Sequence, residues 1–348
     1  DNMIECLNSA VMKLYGDCKR TNKEPRSTIR HTEKMIEHLQ LHEKEDLIQV
    51  MYALPCLSSG GSSPLKWFES FIRLRKYKFD LGIIFPNSFH AAFMLMLMGA
   101  RVRIGYRTDG RQLLLTHSIP VTQEEKKTLY RVNYFHKILS PLNSELTPDH
   151  YDSKWTDSNV TLKKALKAAG VNRKDFLITV HPGASKIERA WHAERFGILC
   201  QNLIKAYPVK IILLGNNKEK SLLEKISSFC PPKKIITIIK LNLFEISQLL
   251  KASQLFIGND SGLLHLASLV DTPVVGIFGP GQASTTGPFI DIKKQEIVTR
   301  NYPCSPCNQR FFKECEPSLH QKPECIESIS VKEVSDAVQK LVRRLKLF

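Results

Sequence analysis

Residues 256–280 read FIGNDSGLLHLASLVDTPVVGIFGP. A short apolar run, 255–258, stops at Asn259-Asp260-Ser261-Gly262. Residues 263–270 then carry apolar side chains at helical spacing, and 273–278 (PVVGIF) form a second apolar run that stops at Gly279-Pro280. Continuous apolar runs bounded by turn residues suit strands buried on both faces. A strand, a helix and a strand in so few residues predict a β-α-β unit of a parallel sheet.

The pattern extends in both directions. Upstream lie predicted strands at 176–180, 210–214 (KIILL) and 235–239, separated by helices at 193–206, 220–229 and 244–251. Downstream, 331–347 form an amphipathic basic helix. Further toward the N-terminus, strands are expected at 47–54, 79–85 (FDLGIIF) and 101–106, with helices at 64–75, 87–99 and 123–140. The polar stretch 141–158 reads as a linker and 160–169 as a short helix. The expectation is an α/β protein of two domains, 1–150 and 160–348. Residues 1–45 do not fit the alternation: Met3, Ile4, Leu7, Val11 and Leu14 mark a helix, 33–41 another, and no strand pattern precedes Leu47.

In open parallel sheets, ligands bind beyond the carboxyl ends of the strands. Three such ends carry unusual residues. The first is HPGASKIERAW, 181–191, in which small residues admit a ligand to the backbone while Lys186 and Arg189 add positive charge. The second is 259–265. Asp260 or Ser261 is expected to cap the helix, Gly262 to keep the loop low, and His265 to reach an anion held at the helix start. The third, 278–281 with Ser284, Thr285 and Thr286, would wall a nucleotide or sugar. Taken singly, each segment also fits an ordinary strand-to-helix turn.

The chain holds 50 Lys+Arg against 34 Asp+Glu, a net charge of +16. That surplus suits an anionic partner or simple solubility. The basic residues are not interleaved with aromatics on a recognisable motif, which argues against nucleic acid. No run reaches the roughly 20 apolar residues of a membrane span; the longest, 91–100, is a buried helix. No basic-then-apolar leader opens the sequence, so a cytoplasmic location is expected. The helix at 331–347 either touches an anionic inner leaflet transiently or packs on the protein.

Nine cysteines, an odd number, argue against a disulfide framework. Cys304-x2-Cys307-x7-Cys315-x9-Cys325 begins with metal-knuckle spacing, but the later spacings match no standard zinc pattern. Structural zinc and reduced loop thiols, or an occasional disulfide, both stay open.

Together, residues 256–280 and 181–196 (HPGASKIERAWHAERF) resemble the donor-site motifs of glycosyltransferase family 9, the family of the lipopolysaccharide heptosyltransferases. Residues 77–106 resemble the acceptor-side half of its heptosyltransferase II branch. The resemblance runs from about Leu47 to the C-terminus. It implies a GT-B fold, two Rossmann-like domains facing across a cleft, here with an atypical N-terminal domain. It also implies ADP-L-glycero-D-manno-heptose as donor and the inner core of lipopolysaccharide, built on lipid A, as acceptor. Transfer inverts the anomeric carbon without a metal ion or other cofactor, and no metal ligand is assigned to the site.

Carried over residue by residue, the donor-binding set is Ser185, Lys186, Arg189, Glu245, Asp260, Ser261, Gly262 and His265. The family pattern places Lys two residues before the Trp, where this chain has Arg189. Family members also open with an apolar strand and a loop containing Gly-Asp, whose Asp is the proposed base. Here Gly16-Asp17 is the only such dipeptide in residues 1–45, and Asp17 follows a helical pattern. The alternatives are a catalytically impaired GT-B protein that binds nucleotide or glycolipid, and another GT-B activity such as a sugar-nucleotide epimerase.

Overall fold

The computed structural model describes residues 75, 78–142, 166, 171–172, 175–300, 302–304, 307 and 309–347. The readings placed on residues 1–54, Asp17 among them, lie outside the described residues. The chain divides into two compact units, 1–148 and 149–348.

In the first unit, β1 (Leu81–Ile84), β2 (Val102–Tyr106) and β3 (His117–Ile119) form a parallel sheet in the order β1-β2-β3. Helix α1 (Phe89–Leu97) crosses from β1 to β2, and Ser88 Oγ caps it by accepting from Ala91 N at 3.2 Å. Met94, Met98 and Phe79 fill one side, and Ile104, Tyr106, Tyr134 and Ile138 the other. The loop after β1 is pinned by Arg111, which is fully buried. Its Nε donates to Tyr106 O at 2.8 Å and its Nη2 to Asn87 Oδ1 at 3.2 Å.

The single helix expected over 123–140 is instead α2 (Gln123–Thr128), α3 (Arg131–His136) and a 3-10 turn, Lys137–Leu142. Leu129 and Tyr130 are extended, with ψ of 133° and 135°. A Thr122–Glu125 capping box starts α2, and Lys137 pairs with the same Glu125. The chain turns where that carboxylate gathers its partners. Strand β3 was not foreseen, because three residues are too short to show a period.

The second unit is a six-stranded parallel sheet in the order β6-β5-β4-β7-β8-β9. Its elements are β4 (Phe176–His181), α4 (Ala193–Ala206), β5 (Val209–Leu214), α5 (Lys220–Ser227), β6 (Ile235–Ile238), α6 (Leu243–Lys251), β7 (Leu255–Asn259), α7 (Gly262–Leu269), β8 (Val274–Phe278), α8 (Ala283–Thr286), β9 (Gln295–Thr299), α9 (Glu324–Glu327) and α10 (Val331–Leu345). Numbered from β4, this is the 3-2-1-4-5-6 order of a dinucleotide-binding fold. Edge strand β9 was missed because QEIVT has little apolar content and only Val298 is buried.

The strands are apolar throughout because both faces are covered. On one face Ile178, Val180, Ile211, Leu213, Ile257 and Ile277 meet Phe196, Leu199 and Leu203 of α4 and the stripe Val334, Val338, Leu341 and Val342 of α10. On the other, Phe256, Val274 and Phe278 meet Leu264 and Ala267 of α7, while Leu177, Ile212 and Leu214 meet Leu249 of α6. Helix α10 therefore packs its apolar stripe into this core, opened by a Ser330–Glu333 capping box. Each such side chain contributes roughly 1.5–3 kcal/mol when fully buried. Among the described residues, no helix is long and apolar enough to cross a membrane.

Candidate functional site

The strand order reverses between β4 and β7, and these strands pair with His181 opposite Gly258. Their carboxyl ends are the topological switch point where such sheets bind ligands. The loop after β4 is stitched to β7 by Asn259, which is fully buried. Asn259 Oδ1 accepts from Trp191 N at 3.0 Å, and Nδ2 donates to Pro182 O at 2.7 Å. Trp191 stacks edge-on to Phe196 at 5.0 Å and donates from Nε1 to Ile329 O at 2.9 Å. These contacts fix 182–191 as a scaffolded loop.

On that scaffold Arg189 reaches β7. Its Nη2 donates to Asp260 O at 3.1 Å and also pairs with the Asp260 carboxylate. Asp260 is 6% exposed, so the carboxylate is screened little by water. The Arg189 Nε is buried with no partner among the described residues. A Cβ on Gly281 would sit 2.2 Å from Asp260 Oδ2, so the loop after β8 also closes against this carboxylate.

Helix α7 starts one residue beyond Ser261. Ser261 occupies the N-cap position, yet its side chain makes no capping bond. Its Oγ instead lies 3.4 Å from His181 Nδ1. The expectation that Asp260 or Ser261 caps α7 through its side chain is therefore corrected: Arg189 claims the Asp260 carboxylate, and Ser261 faces His181. The first-turn N–H groups of α7 have no intrahelical partners, and Gly262, the first residue of the helix, is exposed. His265 lies in the first turn. Burial lowers its pKa most; Asp260 opposes that shift and Arg189 reinforces it. His181 is brought down to about 4 by burial, so both imidazoles are neutral at pH 7.

Glu219 is a site residue the sequence reading missed. It follows the end of β5, beside β4. Its Oε2 accepts from Asn216 N at 2.9 Å, and Oε1 lies 3.8 Å from His181 Nε2. Burial raises its carboxyl pKa, against the Asn216 bond. A Cβ on Gly183 would meet Oε1 at 1.9 Å, so Gly183 is small because Glu219 lies over it. The available signal was Gly215 ending β5 with an acid four residues on, at the same sheet edge as the other two loops.

The remaining expected residues fall elsewhere. Lys186 is exposed and its Nζ stands over the Phe311 ring at 5.2 Å, in a groove shared with Glu188, Arg310 and Lys313. Ser185 is exposed beside it. Glu245 closes a capping box at the start of α6, Oε2 accepting from Asn242 N at 2.8 Å. Thr285 and Thr286 turn their hydroxyls to Gln282 O. Arg189, Asp260, Ser261 and His265 thus gather with His181 and Glu219 at the switch point.

The model of Glycosyltransferase family 9 (heptosyltransferase) matches residues 67–315. The chain belongs to glycosyltransferase family 9. Among curated relatives of this family 9 chain, lipopolysaccharide heptosyltransferase 3 of Escherichia coli K12 is 26% identical over 243 residues, covering 67% of this chain and 68% of the relative. Lipooligosaccharide heptosyltransferase 2 of Campylobacter jejuni (serotype O:6) is 25% identical over 281 residues, covering 79% and 80%. Among solved structures, the ADP-heptose lps heptosyltransferase II of E. coli superposes with a TM-score of 0.62 at 17% identity, covering 80% of this chain and 81% of that one. A family 9 glycosyl transferase from Veillonella parvula gives 0.66 at 17% identity, covering 82% and 80%. These likenesses show the fold: GT-B, built from two Rossmann-like α/β units, one of which holds the switch-point cluster.

Proposed function

We propose that this family 9 enzyme transfers heptose from ADP-L-glycero-D-manno-heptose to the inner core of lipopolysaccharide, inverting the anomeric carbon without a metal at the reacting centre. The observation that carries the reading is the Arg189–Asp260 pair set beside the open first turn of α7. In this transfer an acceptor hydroxyl forms the new bond to the anomeric carbon as the bond to the diphosphate breaks, and negative charge grows on the departing ADP. Fixed donors in a poorly hydrated site stabilise that charge without reorganising. Arg189 supplies a cation held in place by Asp260, α7 supplies backbone N–H groups, and His265 supplies a neutral imidazole able to take up a proton as phosphate approaches. Lys186 lies at the outer rim of the same loop. Glu219, flanking Gly183, suits the ribose hydroxyls better than Glu245, whose carboxylate already serves α6. The hydroxyl proton passes to a carboxylate of the N-terminal unit, for which Asp17 is the sequence candidate.

The acceptor is anchored to lipid A, so the +16 charge suits transient contact with an anionic inner leaflet from the cytoplasmic side. The experiment is release of ADP from ADP-heptose by the full chain, with and without a lipid A–core acceptor, and the product's anomeric configuration read by NMR. Acceptor-dependent release with inversion supports the reading. Nucleotide binding without release would leave a GT-B binding protein, and release without acceptor would point to another activity.

A further inference from the structure

Three side chains far apart in the sequence come together at the start of α4. His192 takes the N-cap position of α4 and directly follows Trp191. His320 lies in the turn 318–322, and Glu327 ends α9. His192 Nε2 is 2.8 Å from Glu327 Oε2, and His320 Nδ1 is 3.1 Å from Oε1. The two imidazole rings meet edge to face, with centroids 5.3 Å apart and planes at 77°. One ligand atom of each residue lies within 4.8 Å of the other two. Nitrogen and oxygen donors bound at about 2.0–2.1 Å around a tetrahedral zinc stand roughly 3.3 Å from one another. The cluster is already close to that spacing.

The donors are held in place from behind. Arg195 Nη2 donates to Glu327 Oε1 at 2.8 Å, while its Nη1 donates to Glu327 O and, at 2.8 Å, to Ile329 O. Ser318 Oγ donates to Glu327 Oε2 at 3.0 Å. The same hydroxyl oxygen accepts from His320 N and Lys322 N, both at 3.2 Å, and Ser318 N donates to Lys322 O at 2.7 Å. Gln321 completes this turn in the left-handed region, at φ of 57°. Such backbone persists only where its surroundings dictate it, and here it sets His320 over the carboxylate. The His320 side chain is 66% exposed, so water reaches the cluster from that side.

Two fixed cations oppose a metal ion here, Arg195 and Lys322, whose Nζ is turned to Ile187 O at 2.8 Å. Their charge lowers the affinity without closing the site. A carboxylate has about four lone-pair positions, and hydrogen bonds such as those from Arg195 and Ser318 commonly orient a ligating carboxylate. Cys304, Cys307, Cys315 and Cys325 are free thiols. Among the described residues it is the two histidines and Glu327, not these cysteines, whose ligand atoms converge.

We propose that His192, His320 and Glu327 bind one divalent transition-metal ion, zinc foremost, through two imidazole nitrogens and one carboxylate oxygen, with water in the fourth position. Two imidazoles and a carboxylate with one open position suit zinc. The proton that each imidazole now offers Glu327 moves through solvent to its other ring nitrogen, so no oxidant or reductant is needed. Acid strips such an ion, because the imidazoles must be neutral to bind it, and below about pH 5 Glu327 keeps only its hydrogen-bonded partners. The ion ties the turn 318–322 and α9 to the residue that follows Trp191, and so braces the end of the loop after β4. It takes no part in the sugar-transfer step.

The test uses the full chain, stripped with a chelator under reducing conditions and titrated calorimetrically with zinc alone. X-ray absorption spectroscopy then follows on wild type loaded with one equivalent. The expected result is one site with a Kd on the order of micromolar, weaker than structural zinc sites because of the two cations. Its neighbours should be nitrogen and oxygen at about 2.0–2.1 Å. Zinc in excess should raise the melting temperature by a few degrees. His320→Ala should weaken binding more than about tenfold and leave the melting of the metal-free chain unchanged, since His320 is exposed. Cys304→Ser/Cys307→Ser should bind as wild type does. The proposal is overturned by the absence of saturable uptake up to about 0.1 mM zinc, by sulfur neighbours at about 2.3 Å, or by a His320→Ala chain that binds like wild type. The spectroscopy needs only wild-type protein, so it decides even where a variant fails to fold.

Discussion

Replacing Arg189 by Ala should weaken ADP binding about a hundredfold. Two contributions add. Charge-assisted hydrogen bonds to a diphosphate are lost, worth roughly 1.5–3 kcal/mol, or about 10- to 150-fold. The change also leaves Asp260, 6% exposed, as an unpaired carboxylate facing the incoming phosphates. The second contribution is separable. Arg189→Ala/Asp260→Asn removes the stranded charge and should recover about tenfold of the loss, giving a non-additive cycle. The assay is calorimetric titration of ADP at fixed low salt. It is paired with thermal melts, because breaking a buried pair from one side costs stability on the order of 3–5 kcal/mol. An Arg189→Ala protein that stays folded and binds ADP within about threefold of wild type would refute the argument that this guanidinium faces the diphosphate.

Three further outcomes follow from the same geometry. His265 is kept neutral mainly by burial, and a bound diphosphate opposes that shift. ADP binding should therefore take up protons near neutral pH, as buffer-dependent calorimetric heats, and His265→Ala should abolish the uptake and weaken binding about fivefold. The Glu327 carboxyl is pushed up by burial but brought down to about 2 by bonds from His192 and Ser318 and the charge of Arg195, against 4.5 unperturbed. A depressed carboxyl contributes stability above its unfolded pKa and loses it as pH falls through the folded value. Wild type should thus lose about 3 kcal/mol between pH 4.5 and 2 in denaturant titrations, and Glu327→Gln should lack that component. In Gly183→Ala, the new Cβ 1.9 Å from Glu219 Oε1 forces that carboxylate away from His181. Melting should show a loss of about 1–3 kcal/mol and ADP titration a weaker complex.

The second unit was legible because its strands are buried on both faces: runs such as KIILL and PVVGIF leave few other readings. Elements that carry less pattern were not legible. Strand β9 spends its residues on an exposed edge, β3 is three residues long, and the break at Leu129 and Tyr130 follows from the Lys137–Glu125 pairing across a turn. At the site, residue types and strand ends were readable, but partners were not. Nothing in the sequence says that Arg189 chooses Asp260 while Lys186 chooses Phe311. Glu219 was passed over for Glu245 because both acids follow a strand and open a helix. Only the sheet order, which puts β5 next to β4, separates them.

Asn259 has a consequence for how the protein responds to its ligand. One amide group holds the segments after β4 and β7 in mutual register, although some 70 residues of sequence separate Trp191 from Asn259. The two lips of the crevice therefore travel as a single jaw. A nucleotide that touches either lip is felt by both, with no hinge between them to absorb the push. Any opening that admits the sugar must come from somewhere other than this seam.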